Sequence, residues 1–302
     1  MKPHTIVVTG ASGFTGPFVV RSLATRFPEA TIRCLVRATS RVDHLRRDRV
    51  EFVLGDLRDV ASLRAAFSDA DALVNVASLG FDWIDPLFEA VSGSALKRGV
   101  FISTTAILTK LPVRSRATRE RGESLVRTSG LAWTIVRPTM IFGTPGDRNI
   151  ARLIRFVHRS PIIPVVAPGA LQQPVHVEDV AAAVTAALAS PAAVNQAYNI
   201  AGRTPMTLEE IVRTVVRLAG LRRLMVRMPV APVRAAVAVM SRLSSKPPIT
   251  VEQVDRLHED KAFDYRDAAR DLAYAPQSFE EGVLAELALM RANPRQSWSE
   301  RV

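Results

Sequence analysis

The stretch Thr5-Ile-Val-Val-Thr9-Gly10-Ala-Ser-Gly13-Phe-Thr-Gly16 decides the fold of this 302-residue chain. Its first five residues form a short β-branched run, which is typical of a buried strand. The glycines that follow let the backbone turn sharply, and they open a helix whose free N–H groups can hold a pyrophosphate. The stretch therefore predicts a dinucleotide-binding turn whose contact residues are Gly10, Ser12, Gly13, Phe14, Thr15 and Gly16.

Strand-like and helix-like segments alternate through the first half of the chain. Further apolar runs predict strands at Thr31–Val36, Val50–Leu54, Ala72–Ala77, Val100–Ser103 and Trp133–Arg137. Helical patterns between them lie at Pro17–Arg26, Val60–Phe67 and Glu120–Arg127. Continuous apolar strands separated by helices are what a parallel sheet covered on both faces requires. Right-handed crossovers then give an α/β fold with a doubly wound, Rossmann-like parallel sheet.

The pattern changes after Pro138. A helix is predicted from about Asn149, and three capping boxes mark later helix starts: Thr207-Leu-Glu-Glu210, Thr250-Val-Glu-Gln253 and Ser278-Phe-Glu-Glu281. We expect a dinucleotide-binding sheet domain over residues 1–138, to which residues 175–202 return. A smaller, mainly helical C-terminal substrate cap is expected over residues 139–174 and 203–302.

Composition and charge exclude several classes of protein. The chain carries 40 Lys+Arg against 29 Asp+Glu, but aromatic residues make up only 6% and no nucleic-acid-binding module is present. We therefore expect no nucleic-acid partner. The single cysteine, Cys34, excludes an internal disulfide and a cysteine-based metal cluster, and no metal is expected. No apolar segment is long enough to span a bilayer, and Met1 leads directly towards a strand rather than a signal peptide. These features predict a soluble, cytoplasmic protein with no membrane partner.

Further motifs accompany the glycine-rich turn: Gly55-Asp56-Leu57, Asn75-Val-Ala-Ser78, Val175-His-Val-Glu-Asp-Val-Ala181 and the tail segment Asp264–Pro276. Together they resemble the extended and atypical short-chain dehydrogenase/reductase (SDR) superfamily, of the NAD-dependent epimerase/dehydratase kind, over essentially the whole chain. The resemblance implies that Asp56 and Leu57 flank the adenine. It also implies that Ala77 lies along the cofactor and that Pro138 sits against the nicotinamide. The tail is similar to that of nucleotide-sugar epimerases and dehydratases.

Some of these residues have a structural alternative. Asp56 can open the next turn, and Pro138 can simply end its strand. For His176 we favour packing in a strand over catalysis, because no second titratable group stands at a matching spacing.

The usual catalytic pattern of the resembled superfamily is missing. Its enzymes use a Tyr with a Lys four residues later, which places both on one helix face. None of the three tyrosines of this chain is followed by that lysine, and the expected pair falls on Ser115 and Arg119. The resemblance therefore implies a degenerate Tyr-x-x-x-Lys site.

Other residues near the expected site can take part in chemistry. The hydroxyl cluster Ser103-Thr104-Thr105 ends a predicted strand, where sheets of this type place their reacting groups. We predict Thr104, Thr105 and Lys110 as catalytic candidates. A solvated loop lysine is the alternative role for Lys110.

Cofactor and substrate contacts are predicted from arginines. No acid follows the second strand until Asp43; Arg37, with Ser40 and Arg41 as helpers, can instead bind the extra phosphate of NADP. We therefore predict NADP rather than NAD. In the cap, Arg148 with Asn149 begins a cationic helix stripe, which is either a solvated face or a grip on a substrate diphosphate.

These observations predict an NADP-dependent SDR-family oxidoreductase or epimerase that acts on a small molecule, with a nucleotide-activated sugar favoured. One alternative is a non-catalytic or weakly catalytic protein that binds NADP as a sensor. Another is a reductase of a hydrophobic small-molecule ketone, because Val230–Leu243 supplies an apolar cap helix. The sequence is compatible with a homodimer.

Overall fold

Within the residues that the structure describes, the strands build one large sheet and three small ones. In chain order they are β1 (Thr5–Thr9), β2 (Thr31–Val36), β3 (Val50–Leu54), β4 (Ala72–Asn75), β5 (Arg98–Ile102), β6 (Ala132–Pro138), β7 (Ile141–Phe142), β8 (Ile162–Val166), β9 (Leu171–Gln172), β10 (Val175–His176), β11 (Gln196–Ile200), β12 (Met206–Thr207) and β13 (Leu224–Met228). The computed structural model describes residues 3–45, 49–81, 83–109, 111, 115–243 and 259–292. Lys110 and the capping box at Thr250 lie outside these residues.

The large sheet has seven parallel strands in the order β11-β6-β5-β4-β1-β2-β3. The strand order reverses between β1 and β4, and such a switch point is where doubly wound sheets bind ligands. Thr9, the last residue of β1, is level with Leu35 of β2 and Asn75 of β4. The carboxyl ends of three strands therefore meet at one edge, where the predicted cofactor residues lie.

The helices are α1 (Gly16–Arg26), α2 (Val60–Phe67), α3 (Ile84–Ser92), α4 (Ser115–Arg127), α5 (Ile150–Arg159), α6 (Val177–Ala189), α7 (Leu208–Leu218), α8 (Val230–Leu243), α9 (Arg266–Leu272) and α10 (Phe279–Ala292). Side chains cap the starts of several of them. Asp59 accepts a hydrogen bond from the Ala61 N–H at the start of α2. The capping boxes predicted at Thr207 and Ser278 are both present.

Alternate residues of β1 pack into the two faces of the sheet. Ile6 and Val8 belong to a core with α1 and α6, whereas Val7 belongs to a second core with α2 and α3. Both faces are therefore buried, as the continuous apolar strands require. The predicted α/β class with a doubly wound parallel sheet is confirmed.

The cap has a core of its own, formed by α5, α7 and α10 around Phe142, Ile154 and Val215. Beyond residue 201 the chain is mainly helical as expected, but it also contains β12 and β13, which pair with β9 and β8. The first of these has two residues, and β13 has too short an alternation to be recognised from its sequence. Ala268 and Leu272 of α9 pack in the sheet core rather than in the cap. The two-domain division itself stays a prediction.

None of the described helices is both long enough and apolar enough to cross a membrane. Among the described residues, no group of three or more His, Cys, Asp or Glu side chains is arranged to hold a metal ion.

Candidate active site

Glycines allow the backbone of this turn to approach its neighbours closely. Because they carry no side chains, they also leave space for a ligand. Gly10 has φ +72°, and a Cβ there would stand 2.7 Å from the backbone nitrogen of Ala77. At Gly16, the first residue of α1, a Cβ would stand 2.2 Å from the Ala11 carbonyl oxygen. Only glycine satisfies both positions. The turn therefore brings the first turn of α1 up to the ends of β1 and β4.

Side-chain hydrogen bonds fix this turn to the loop after β4. The Thr9 hydroxyl donates to Asn75 Oδ1 at 2.6 Å, and Asn75 Nδ2 donates to the Ala77 carbonyl oxygen at 2.7 Å. Thr9 and Asn75 are almost completely buried. The position of Ala77 beside Gly10 is therefore determined by polar groups that have no access to water.

A cleft of about 280 Å³ lies above the turn. It brings together seven of the predicted cofactor residues: Gly10, Ser12, Gly13, Arg37, Asp56, Leu57 and Ala77. The predicted helper Ser40 also lines it, and its hydroxyl accepts a hydrogen bond from the Arg37 N–H at 3.2 Å. Of the other predicted residues, Phe14, Thr15 and Gly16 lead into α1 below the cleft and do not line it, and neither does Arg41.

Asp56 also has the structural role that the sequence left open. Its Oδ1 accepts a hydrogen bond from the Arg58 N–H at 2.9 Å, which forms the turn that leads into α2. Asp56 therefore lines the cleft as part of a turn.

Two further lining residues were missed by sequence reasoning. Trp83 donates from Nε1 to the Ser78 carbonyl oxygen at 3.1 Å, and the Arg58 guanidinium lies 5.6 Å from the centre of its ring. Both line the cleft. Trp83 precedes α3 without a motif, so no local signal in the sequence marked it as a cleft residue.

The cleft fits a dinucleotide. The first turn of α1 offers unpaired backbone N–H groups for a pyrophosphate, and the glycines leave room for it. Arg37 and Ser40 stand after β2, where the adenosine ribose lies in sheets of this kind. The residues present thus match the group that the sequence predicts.

A second, larger cavity of about 670 Å³ lies between the sheet and the cap. Thr104, Thr105 and Asn149, three of the predicted site residues, line it. So do residues from a part of the chain that sequence reasoning did not connect with the site: Glu259, Asp260, Lys261, Ala262 and Phe263. Arg148 is exposed and does not line this cavity.

The wall at residues 259–263 is held by contacts that join distant parts of the chain. The Thr109 hydroxyl donates to Glu259 Oε2 at 2.6 Å across 150 residues. The Leu171 N–H donates to Asp260 Oδ1 at 2.8 Å, and the Phe263 N–H donates to Gln173 Oε1 at 2.8 Å. Such non-local contacts leave no pattern in a single sequence.

The two candidate threonines differ in the use of their hydroxyl groups. Thr105 Oγ1 donates to the Pro138 carbonyl oxygen at 3.3 Å, so its hydrogen is engaged within the protein. Thr104 Oγ1 accepts a hydrogen bond from the Ala106 N–H at 3.2 Å and keeps its own hydrogen for another acceptor. Thr104 is therefore the hydroxyl that can donate to a ligand in the cavity. Pro138 is buried at the end of β6 and supports Thr105.

A buried ionic network stands behind these threonines. Ser103 donates to Glu123 Oε1 at 2.8 Å, and Arg137 donates to both carboxylate oxygens of Glu123. Burial alone raises the pKa of Glu123, but the bonds from Arg137 and Ser103 outweigh it and hold that pKa below its ordinary value. Glu123 is thus a carboxylate that joins α4 to the ends of β5 and β6.

The tyrosines take no part in either cavity. The hydroxyl of Tyr198 donates to Asp271 at 3.0 Å, that of Tyr265 to the Arg203 carbonyl oxygen at 3.1 Å, and that of Tyr274 to the Ala201 carbonyl oxygen at 2.8 Å. All three phenols are structural donors. Arg119, on which the sequence predicted the lysine position to fall, packs on Gly80 after β4.

His176 is a buried residue at the start of α6. Its Nδ1 accepts a hydrogen bond from the Glu178 N–H at 3.3 Å, and its ring lies edge-on to Phe142. Burial lowers the pKa of His176. These are the surroundings of a packed residue, which is the role that the sequence favoured over catalysis for His176.

With this geometry in view, comparison with known proteins identifies the family. Residues 10–191 match the family model described as NAD(P)H-binding, which is more than half of the chain. The chain belongs to the NAD(P)H-binding family. The resemblance to extended and atypical SDR proteins is thereby confirmed, as is the prediction of an NAD(P)-dependent enzyme of the oxidoreductase or epimerase type.

Two curated relatives are similar over most of their length. The ceramide reductase of Caulobacter vibrioides is 30% identical over 251 residues, which cover 80% of this chain and 78% of that protein. The (4-alkanoyl-5-oxo-2,5-dihydrofuran-3-yl)methyl phosphate reductase of Streptomyces griseus is 31% identical, over 71% of this chain and 74% of that protein.

Solved structures share the fold at lower identity. The structure of PA4631 from Pseudomonas aeruginosa, titled a nucleoside-diphosphate-sugar epimerase, superposes with a TM-score of 0.78 at 16% identity. The alignment covers 96% of this chain and 98% of that one. The NAD(P)H-binding protein described here thus has the complete fold of such proteins, sheet and cap together.

Proposed function

We propose that this NAD(P)H-binding protein is an NADP-dependent reductase of a carbonyl group on a neutral, lipophilic small molecule. The observation that carries the proposal is the cavity beside Thr104. Its wall combines one available hydroxyl donor with apolar side chains from both the sheet and the cap: Ala106, Leu108, Met140, Ala262 and Phe263. A carbonyl oxygen can bind Thr104 while an apolar chain occupies the remaining volume.

The charge of the cavity supports a neutral substrate. A nucleotide-activated sugar, which the sequence resemblance favoured, carries a diphosphate that needs cations. Among the described lining residues only Lys261 is cationic, and Glu259 and Asp260 outnumber it. Arg148, the predicted diphosphate ligand, is outside the cavity. The name of the ceramide reductase supports a neutral, lipophilic substrate. The second reductase is named for a compound that shares an alkanoyl chain but also carries a phosphate, so it supports the lipophilic part of the substrate class alone.

The residues of the chain position the reaction. NADPH, when bound, supplies the hydride that reduces the carbonyl carbon. Thr104 donates a hydrogen bond to the carbonyl oxygen and stabilises the negative charge that develops there. The alkoxide left after hydride addition takes its proton from solvent water, which completes the alcohol. The carboxylate of Glu123 fixes Ser103, the residue before Thr104, and thereby the direction of the strand end. Arg37 and Ser40 bind the extra phosphate that distinguishes NADP from NAD.

The substrate class is tested by incubating the full chain with NADPH and three kinds of acceptor: a long-chain ketone in detergent, nucleotide 4-keto-sugars, and a short soluble ketone. We expect oxidation of NADPH with the long-chain ketone and a much lower kcat/KM with the short one. Turnover of the keto-sugars alone establishes the nucleotide-sugar enzyme instead. Tight NADPH binding without turnover of any acceptor establishes the sensor.

A further inference from the structure

The cap has an apolar face that the described residues leave open. β8 and β13 pair in parallel, with Leu224 opposite Ile162 and Val226 opposite Pro164. Side chains alternate along β8, so that Ile163 is buried in the cap core at 1% exposure. On the other side, Ile162 is 52%, Leu224 62% and Val226 40% exposed. We name the exposed side the outer cap face, and it consists of Ile162, Pro164, Leu224 and Val226.

In the two segments that carry this face, all the Asp, Glu, Lys and Arg positions are basic. Residues 148–177 and 211–243 contain eleven Arg residues and no Asp or Glu. Some of the positive charge is neutralised from elsewhere: Arg213 and Arg227 both pair with Glu209, at 2.7 and 2.8 Å, and Arg217 pairs with Glu280. Arg222, two residues before Leu224, is exposed and forms no ion pair among the described residues. Uncompensated positive charge therefore borders the apolar side chains.

From these two features we infer that the outer cap face docks on an anionic lipid surface. Apolar side chains of such a face enter the boundary between headgroups and acyl chains, and arginines bind the negatively charged headgroups around them. The sequence predicted no membrane partner because no segment spans a bilayer. A contact with one leaflet needs no spanning segment.

A second copy of the chain matches this face less well. In a symmetric dimer the same patch faces itself. The acid-free segments of both copies then lie together, and their like charges repel. An anionic bilayer instead presents the opposite charge to the exposed Arg222.

The face and the cavity beside Thr104 are joined by one helix. α5 starts next to Asn149, which lines the cavity, and ends at Arg159, three residues before Ile162. Ten helical residues span about 15 Å. The inference goes beyond the proposed reaction, and its test measures lipid binding alone, so that either can fail without the other.

The test is flotation of the full chain with vesicles of phosphatidylcholine, and with vesicles in which part of the phosphatidylcholine is replaced by phosphatidylglycerol. We expect binding to the anionic vesicles at least roughly tenfold tighter than to the neutral ones, and a loss of that binding at high salt. Leu224→Glu and Arg222→Glu should each weaken it by roughly tenfold or more, because each introduces a carboxylate at the lipid contact.

The matched control is Leu284→Glu. Leu284 is 51% exposed on α10, beside Glu280 and Glu281 and outside the basic segments, so this variant should bind vesicles like the wild type. Thermal unfolding by circular dichroism and NADPH binding verify that all variants fold. The inference is wrong if the wild type binds anionic and neutral vesicles with the same affinity. It is wrong as well if Leu224→Glu and Leu284→Glu bind anionic vesicles with the same affinity. It is also wrong if sedimentation shows a wild-type dimer that Leu224→Glu dissociates while no vesicle is bound.

Discussion

Arg37 follows β2 directly and lines the cofactor cleft beside Ser40. A guanidinium at this point can form a charge-assisted fork with the extra phosphate of NADP, which NAD lacks. Arg37→Ala should therefore weaken NADP binding by roughly ten- to a hundredfold, the equivalent of about 1.5–3 kcal/mol, and barely change NAD binding. Calorimetric titration of both cofactors measures the two effects.

The control for Arg37 is Arg41→Ala. Arg41 is exposed and does not line the cleft, so its removal should leave the affinity for NADP within about a factor of two. Equal affinity of the wild type for NADP and NAD, or the same loss in both variants, rules out Arg37 as the phosphate ligand.

Thr104 lines the cavity between the sheet and the cap. Its hydroxyl hydrogen is free to bind a substrate oxygen, whereas that of Thr105 is bound to Pro138. Thr104→Val should lower kcat by about tenfold or more, since one hydrogen bond to the transition state is lost. Ser115→Ala, at the position of the missing tyrosine, should have little effect. Initial rates with NADPH and the best acceptor compare the two, and equal, negligible effects contradict the role of Thr104.

At the scale of elements, two buried glutamates join helices to their neighbours in opposite states of charge. Glu286 of α10 is completely buried near Asp147, which accepts N–H groups at the start of α5. Burial, with the neighbouring Asp147 carboxylate, raises the pKa of Glu286 to about 10. Glu286 is therefore neutral in the folded protein at pH 7, whereas Glu123 is ionised between Arg137 and Ser103.

Because the folded protein keeps a proton on Glu286 that the unfolded chain releases above about pH 4.3, this group lowers stability progressively as the pH rises towards 10. Glu286→Gln removes that cost without changing the shape of the side chain. The variant should gain about 1 kcal/mol or more in the free energy of unfolding at pH 8, and less at pH 5. Urea unfolding at both pH values measures the difference; a variant less stable than the wild type at pH 8 contradicts the neutral state.

The same substitution at Glu123 should have the opposite sign. The pKa of Glu123 is lowered in the folded protein, so its contribution is complete above about pH 4.3 and is lost as the pH falls through the folded-state pKa. Glu123→Gln leaves Arg137, whose side chain is only partly exposed, without its counter-charge and should cost about 3 kcal/mol at pH 7. The cost should shrink as the pH falls through the folded-state pKa of Glu123, where the wild type also loses the pair. A loss that does not depend on pH would show that packing, not charge, is the cause.

Elements and site residues were predictable from the sequence where the signal is local. β1, β2, β3, α2 and α8 have the bounds predicted from apolar periodicity and from helix-start residues. The cofactor cleft follows largely from one turn of seven residues and the strand ends next to it. The wall of the second cavity was not predictable, because it depends on contacts such as that of Thr109 with Glu259 across 150 residues. Likewise, the capping box at Ser278 predicts where α10 begins, but it does not predict that Glu286 of this helix faces the core.

The molecule as a whole is connected by repeated passages between sheet and cap. The chain leaves the sheet after β6, returns for α6 and β11, enters the cap again with α7, and comes back with α9. Ala268 and Leu272 of α9 complete the core that contains β1 and α1. The Arg203 side chain also donates to the Pro276 carbonyl oxygen at 2.9 Å, which ties two of these connecting segments together. A cap built from interrupted segments cannot unfold alone without releasing part of the sheet core.

This connectivity predicts that cofactor binding stabilises both parts equally. The cleft predicted to hold NADPH is lined by residues of the sheet and its loops. A ligand at 100 times its Kd adds about 2.7 kcal/mol to the free energy of unfolding when it binds the folded state alone. If the chain unfolds as one unit, hydrogen exchange should show that gain in peptides from α1 and, to the same extent, in peptides from α7 and α10. Mass spectrometry of exchanged peptides with and without NADPH measures both. Protection that rises in α1 and not in α7 would mean that the cap opens independently, and the predicted division into a sheet domain and a cap domain would then also be a division in stability.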